Sequence, residues 1–223
     1  MTTPPRSPER RAPVDAGMTL VELLVAMGIF LVVIAVFMSG IVIMTKSTAT
    51  ASAVSDATST ARKVMDRFDK QVRYATAINA PGTGTTSGAT YVEYMMPSQT
   101  AGATPVCVQW RYDGAAQTLA LRTWPNSSSP LPSAWSQVAS DVRNDAFGEP
   151  IFTFEPANEM DGNYLVHQQL TVTVDIGTGT AAGAKMSATY AARNSSMTGS
   201  PSNTLTADGQ SSTPVCLAGV GRP

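Results

Sequence analysis

The sequence predicts an α+β protein in which one long N-terminal α-helix packs on an antiparallel β-sheet. Three patterns lead to this fold class. An uncharged apolar run extends from Leu23 to Met44, helical periodicity follows up to about Ala80, and short β-like runs fill much of the chain after Gly82. This order of elements favours a helix packed against a separate antiparallel sheet.

The apolar run is long enough to cross a membrane. It holds about 22 residues, which at about 1.5 Å per residue cover the roughly 30 Å of a bilayer's hydrocarbon core. A helix that is apolar on every face must be buried on every face, and a soluble domain rarely offers such a site. We therefore predict a transmembrane helix over residues 18–44.

The residues before this helix indicate its orientation. Residues 1–17 contain four prolines, which exclude a helix there. Arg6, Arg10 and Arg11 outnumber the acids of this leader, whereas only Lys46 lies close to the other end of the span. The positive-inside rule therefore keeps the leader in the cytoplasm and exports the rest of the chain.

One acid, Glu22, lies at the start of the apolar run. An ionised carboxylate costs about 2.5–3.5 kcal/mol at the bilayer centre, so an acid here either reaches the headgroups or has a positively charged partner. Cleavage of the chain after Gly17 would create a free amino terminus at Met18, close to this carboxylate.

The segment Gly17-Met18-Thr19-Leu20-Val21-Glu22 resembles the processing site of type IV prepilins and type II secretion pseudopilins, a bacterial family of filament subunits. The resemblance implies that a prepilin peptidase cuts after Gly17 and that the new terminus at Met18 is N-methylated. It further implies that Glu22 forms an assembly salt bridge with the amino terminus of a neighbouring subunit. Met18 replaces the commoner phenylalanine, and the helix-bending proline of many major pilins is absent.

The same resemblance implies a pilin-like fold and a set of partners. These partners are the prepilin peptidase, other pilin or pseudopilin subunits, an inner-membrane assembly platform and membrane lipid. The protein would reside in the cytoplasmic membrane with its N-terminus inside, and then in a pilus or pseudopilus. The size of the exported domain suits a minor subunit at a tip or initiation complex. The residues do not distinguish a pilus from a secretion pseudopilus or a DNA-uptake filament.

Two other interpretations remain open. An ordinary secretory signal peptide is supported by the small residues over 49–53, although the apolar run exceeds the usual length of about 7–15 residues. A membrane-anchored extracellular binding or adhesion domain that does not polymerise would need the apolar anchor but not Glu22.

Beyond the membrane, the helix is predicted to continue over residues 45–80 and to be amphipathic from about residue 61. Val64, Phe68 and Val72 recur at helical spacing, and Pro81-Gly82 ends the pattern. Two helices joined by a flexible link are the alternative.

Residues 81–194 are predicted to form an antiparallel β-rich domain. Apolar alternation is clearest at Leu170, Val172 and Val174. Residues 195–223 are rich in Ser, Thr, Gly and Pro and are expected to form a loose tail. The predicted strands are Thr90–Met96, Pro105–Tyr112, Thr118–Trp124, Ile151–Glu155, Leu165–Ile176 and Lys185–Ala192.

The chain contains two cysteines, Cys107 and Cys216. In an exported domain two thiols are readily oxidised, so a disulfide that holds the tail to the sheet is expected, with two free thiols as the alternative.

The sequence offers little for catalysis. No nucleophile–base set, metal cluster or phosphate-binding glycine loop is present, so we expect no enzyme activity, cofactor or metal. The single histidine, His167, is interpreted as a structural residue. The oxygen-rich run from Asn158 to Asn163 lacks EF-hand spacing, which favours a turn over a calcium site. The net charge of −1 and the scattered cations give no direct nucleic-acid signal.

Overall fold

The computed structural model describes residues 17–98, 100, 102–158, 165–178 and 182–223. Within them one α-helix, α1 (Leu20–Val72), packs against antiparallel strands, which is the pilin-like α+β layout that the sequence predicts. The chain divides into two units, residues 1–48 and 49–223, and α1 contributes to both. Apart from Gly17, the predicted leader lies outside the described residues.

Nine strands follow α1 in the described part of the chain. Six of them overlap the six predicted runs, whereas β1, β2 and β6 were not predicted because segments of two to four residues show no periodicity. The strands are β1 Ala77–Ile78, β2 Gly82–Thr83, β3 Thr90–Met96, β4 Val106–Asp113, β5 Thr118–Pro125, β6 Ser136–Ala139, β7 Phe152–Glu155, β8 Gln169–Ile176 and β9 Ala184–Ala191.

The strands form two antiparallel sheets. The first has the order β1-β3-β4-β5-β6, with β2 also paired to β3, and the second has the order β7-β8-β9. In the first sheet Val92 pairs with Trp110, which pairs in turn with Leu121. A bridge between Val142 and Ile176 joins the end of one sheet to the other. Within each sheet the strands from β3 to β6 and from β7 to β9 pair in chain order, as is usual for antiparallel sheets.

The second half of α1 supplies one side of the main hydrophobic core. Phe68 is fully buried and stacks on Trp110 with the ring centroids 4.2 Å apart. The ring centroids of Phe152 and Tyr190 lie 6.0 and 6.3 Å from that of Phe68. Both sheets therefore contact the Phe68 ring. Burial of a phenylalanine side chain contributes about 1.5–3 kcal/mol and an aromatic pair about 0.5–1.5 kcal/mol more. The helical periodicity therefore identified the face of α1 that the sheets cover.

The helix ends at Val72, before the predicted end at about Ala80. Tyr74 and Ala75 make the tighter hydrogen bonds of a turn, and Thr76 donates its N–H to the Met95 carbonyl at 2.8 Å. Residues 77 and 78 then pair with β3 and are fully buried. The prediction was wrong here because hydrogen bonds and burial at the sheet edge exceed the weak helical propensity of this short segment.

The expectation of a loose tail is also wrong for residues 195–223. Ser202 is fully buried and donates its hydroxyl to the Ile78 carbonyl at 2.7 Å. Ser211 accepts the Ala80 N–H at 2.9 Å, and Val215 is buried. Small polar side chains hold this segment through hydrogen bonds to the backbone of residues 78 and 80. Such contacts leave no apolar periodicity in the sequence, so the composition suggested a tail.

Candidate functional site

The predicted cleavage site lies on exposed, non-helical chain. Gly17 and Met18 both precede α1 and are exposed, with Met18 66% accessible. A Cβ atom placed on Gly17 would meet no other atom within 4 Å. The peptide bond between the two residues is therefore unobstructed by the rest of the described chain.

Thr19 fixes the start of the helix. Its hydroxyl accepts the backbone N–H of Glu22 at 3.3 Å, and its carbonyl accepts the N–H of Leu23 at 3.2 Å. A threonine in this position satisfies one of the free N–H groups of the first turn, typically contributing about 1 kcal/mol. The cap ensures that residues 17 and 18 stay outside the helix while Glu22 lies in its first turn.

The Glu22 side chain is exposed and makes no ion pair with any residue that the structure describes. Negative charge in the first turn is favourable by about 0.3–1 kcal/mol because of the helix dipole. That interaction does not replace a counter-ion inside a membrane. The described part of the chain therefore offers this carboxylate no counter-ion.

The apolar run that follows has no cover within the chain. From Leu23 to Met44 every residue is exposed except Gly40, which is half-buried. By length and composition this is a helix that can cross a membrane, and no residue of its most apolar stretch is buried in the structure. A surface of this size must be covered by lipid or by other helices, because water would disfavour it strongly.

The hydroxyl groups in and beside this run are satisfied within the helix. Ser39 donates to the Val36 carbonyl at 2.7 Å, and Thr45 donates to the Ile41 carbonyl at 2.9 Å. Hydroxyls bonded in this way can enter lipid without an unpaired donor. These residues therefore do not oppose a span.

The two predicted disulfide residues are joined in the structure. Cys107 on β4 and Cys216 form a disulfide with Cα atoms 5.6 Å apart. The bond lies in a second small core with Ala77, Trp124 and Val215. Because Val108 and Trp110 face α1, the alternation of β4 places Cys107 on the opposite face of the sheet. The disulfide therefore holds the C-terminal segment on the face that α1 does not cover.

A buried carboxylate on the same face was missed from the sequence. Glu93 is fully buried and accepts hydrogen bonds from Arg222 Nε and Nη2 at 2.9 and 2.7 Å, from Asn79 Nδ2 at 3.0 Å and from Gln109 Nε2 at 3.0 Å. The sequence signal for this buried site was the single acid within the otherwise uncharged strand of residues 90–96.

Next to this carboxylate lie two arginines and a tryptophan, which sequence reasoning also missed. The guanidinium carbons of Arg111 and Arg122 lie 5.0 and 4.5 Å from the centroid of the Trp135 ring. Arg122 Nε donates to Gln109 Oε1 at 2.8 Å, so this group adjoins the Glu93 network. We call these three residues the Arg–Trp cluster. The three residues are far apart in sequence, so no local pattern predicted that they contact one another.

The remaining candidates have structural roles or lie outside the described residues. His167 donates from Nδ1 to the Ser195 carbonyl at 2.7 Å, as a structural histidine would. No group of three or more His, Cys, Asp or Glu side chains able to hold a metal occurs in the parts of the chain described above. Residues 159–163 of the oxygen-rich run lie outside those parts.

Comparisons of this chain with protein-family models, with curated proteins and with solved structures find no match.

Proposed function

We propose that this chain is a prepilin-like structural subunit that is cleaved after Gly17, N-methylated at Met18 and assembled through its N-terminal helix. In this role it is a minor, tip or initiation component of a type IV pilus or type II secretion pseudopilus. It is inserted in the cytoplasmic membrane with residues 1–17 inside and the β-rich domain outside.

The observation that carries the proposal is the combination of an uncovered apolar run with one exposed carboxylate at its start. Anchoring in lipid requires only the apolar run. Lipid tails are as apolar as leucine, so apolar area alone gives no strong reason for such helices to leave lipid for one another. A charged pair supplies that reason, because the interaction of opposite charges strengthens in a medium of low dielectric constant.

The proposed pair joins Glu22 of one subunit to the methylated amino group of Met18 of its neighbour. The exposed position of both residues supports this pairing, and the Thr19 cap leaves Met18 just ahead of the helix. Methylation retains the positive charge of the amine. Removal of residues 1–17 is required, since the uncut chain has an amide at this position.

Intact mass measurement of the protein, from hosts with and without a prepilin peptidase, tests the proposal. We expect a mature chain that begins at methylated Met18 only where the peptidase is present. A product that begins near Ser52 or Val54 would indicate an ordinary signal peptide. Retention of residues 1–17 in a host with the peptidase would indicate a simple membrane anchor.

Two glycine variants provide a matched control. Gly17→Val is expected to remain uncut, whereas Gly28→Val is expected to be processed like the native chain. A Cβ at either glycine meets no atom within 4 Å, so neither substitution disturbs the fold of the single chain. Equal processing of the two variants would contradict the assignment of Gly17.

A further inference from the structure

The Arg–Trp cluster lies on the sheet face that α1 does not cover. Arg111 is on β4, Arg122 is on β5, and Trp135 directly precedes β6. All three side chains are half-buried, and Tyr91 lies beside Trp135 with the ring centroids 6.2 Å apart. The sheet therefore brings two guanidinium groups and an indole together at a surface that solvent reaches.

The two cations of this cluster have no counter-ion among the residues placed in the structure. Neither makes an ion pair with an acid among the described residues. Glu93 is the acid of the neighbouring network, and its carboxylate already pairs with Arg222. Since that pair is neutral, two positive charges remain uncompensated.

Hydrogen bonding in the cluster is also incomplete. Arg111 Nε and Arg122 Nη2 are buried and have no partner among the described residues. Burial lowers the pKa of Arg122. The charge of Arg111 lowers this pKa further, whereas Tyr91 and Glu93 raise it. Buried donors of native proteins are normally satisfied, so these two groups call for an acceptor that the described residues do not supply.

We propose that the Arg–Trp cluster binds a phosphate-type oxyanion. Guanidinium groups present their donors in a planar fork that matches the oxygens of phosphate or sulfate. A phosphate monoester carries a charge of about −1.5 to −2 at pH 7, which matches the two uncompensated cations. A carboxylate carries one negative charge and would therefore neutralise only one of the two arginines. The Trp135 ring, 5.0 and 4.5 Å from the two guanidinium carbons, holds both groups in place through cation–π contacts.

The test is a titration of the full chain, in micelles of an uncharged detergent, with inorganic phosphate at constant ionic strength. The readout is the NMR signals of the arginine Nε–H groups and the tryptophan indoles. We expect saturable shifts for Arg111, Arg122 and Trp135, and none for the exposed Arg62 on α1. Shifts that are linear, or that chloride reproduces, would overturn the proposal.

Variants separate binding from a structural role. Arg111→Gln combined with Arg122→Gln is expected to weaken phosphate binding at least tenfold, whereas Arg62→Gln is expected to leave it unchanged. Should the double variant fail to fold, Arg122→Lys retains the charge but loses the fork, and it is expected to bind several-fold more weakly. Native affinity in either folded cluster variant would contradict the site.

Two arms of the titration identify the source of the oxyanion. If inorganic phosphate alone shifts the cluster signals, the ligand is a free anion. If phosphatidic acid added to the micelles shifts the same signals at lower concentration, and phosphatidylcholine does not, the ligand is a lipid headgroup. Both results support a phosphate site, and the absence of a shift in both arms overturns it.

Discussion

Glu93 and Arg222 form a buried ion pair, in which Arg222 Nη2 lies 2.7 Å from Glu93 Oε2. The Glu93 side chain has no exposed surface and that of Arg222 is 11% exposed. Arg222 also donates to the Ala80 carbonyl at 2.7 Å and to Gln210 Oε1 at 3.0 Å. The pair therefore connects β3 to both ends of the segment 210–222, which covers this face of the sheet.

Glu93→Gln is expected to destabilise the protein by about 3–5 kcal/mol, because it leaves the Arg222 charge buried without a partner. The new amide would also face the donors of Asn79 and Gln109, which now bind the carboxylate. Urea unfolding of the full chain in an uncharged detergent measures the change.

Two controls accompany this prediction. Glu93→Gln together with Arg222→Gln is expected to cost less than the sum of the two single variants, since neither charge remains alone. Lys70→Gln removes an exposed ion pair with Asp66 and is expected to cost no more than about 1 kcal/mol. Equal effects of Glu93→Gln and Lys70→Gln would contradict the role of the buried pair.

Loss of the Cys107–Cys216 disulfide is expected to destabilise the protein. The two cysteines are 109 residues apart, and the chain-entropy model gives about 4–5 kcal/mol for a loop of this length. The double variant Cys107→Ser/Cys216→Ser should therefore unfold at lower urea. Limited proteolysis is expected to cut residues 205–223 first, because no covalent bond then ties this segment to the sheet and only hydrogen bonds, the Val215 packing and the Arg222–Glu93 pair hold it. Unchanged protease resistance would show that the Glu93–Arg222 pair suffices to hold it.

Stability is expected to fall above about pH 10, in part because of Tyr190. Its hydroxyl donates to the Met65 carbonyl at 3.0 Å, and burial, assisted by the charges of Asp69 and Asp66, raises the pKa of Tyr190 to about 12. An unfolded tyrosine titrates near about 10. The contribution is therefore complete below about pH 10 and is lost as the pH rises towards 12.

Urea unfolding at pH 9 and pH 11 checks this pH dependence. Tyr190→Phe is expected to reduce the loss of stability between the two pH values, and burial also raises the pKa of Tyr94, so part of the loss remains. Tyr74→Phe, at an exposed position, is expected to behave like the native chain. An identical decline in all three proteins would exclude a contribution from Tyr190.

Glu22→Ala is expected to abolish incorporation into a filament while membrane insertion and cleavage continue. The apolar run alone drives insertion, whereas the proposed pair with a neighbouring Met18 terminus needs the carboxylate. Membrane fractionation and immunoblotting of sheared filaments measure the two steps. Glu22→Asp, which keeps the charge on a shorter side chain, is the matched variant and is expected to retain part of the incorporation. Normal incorporation of Glu22→Ala would favour a membrane-anchored binding domain.

Local patterns predicted the elements with strong periodicity. The uncharged run from Leu23 to Met44 and the helical spacing of Val64, Phe68 and Val72 indicated the apolar and amphipathic parts of α1. The alternation at Leu170 and Val172 indicated β8. Burial of one face leaves a period in the sequence, and burial of all faces leaves an unbroken apolar run. Neither pattern depends on which element provides the cover.

Other features depended on partners that are distant in sequence. Neither Arg222 nor Glu93 indicates the other, since an ion pair across 129 positions leaves no local pattern. No local pattern indicated that Trp135 contacts Arg111 and Arg122. Nor did one indicate that residues 77 and 78, which were predicted to be helical, pair with the edge of β3.

By itself the sequence determined that an apolar helix follows Gly17 and carries one carboxylate, Glu22, at its start. Local sequence is enough to predict these features, because each depends on residues only a few positions apart. Only the tertiary structure decided that the C-terminal segment is ordered along its length on the sheet, with Arg222 on Glu93, whereas the disulfide between Cys107 and Cys216 was already expected from the sequence. Sheet register and chain reversal place those groups together, and both are set by contacts across the whole domain.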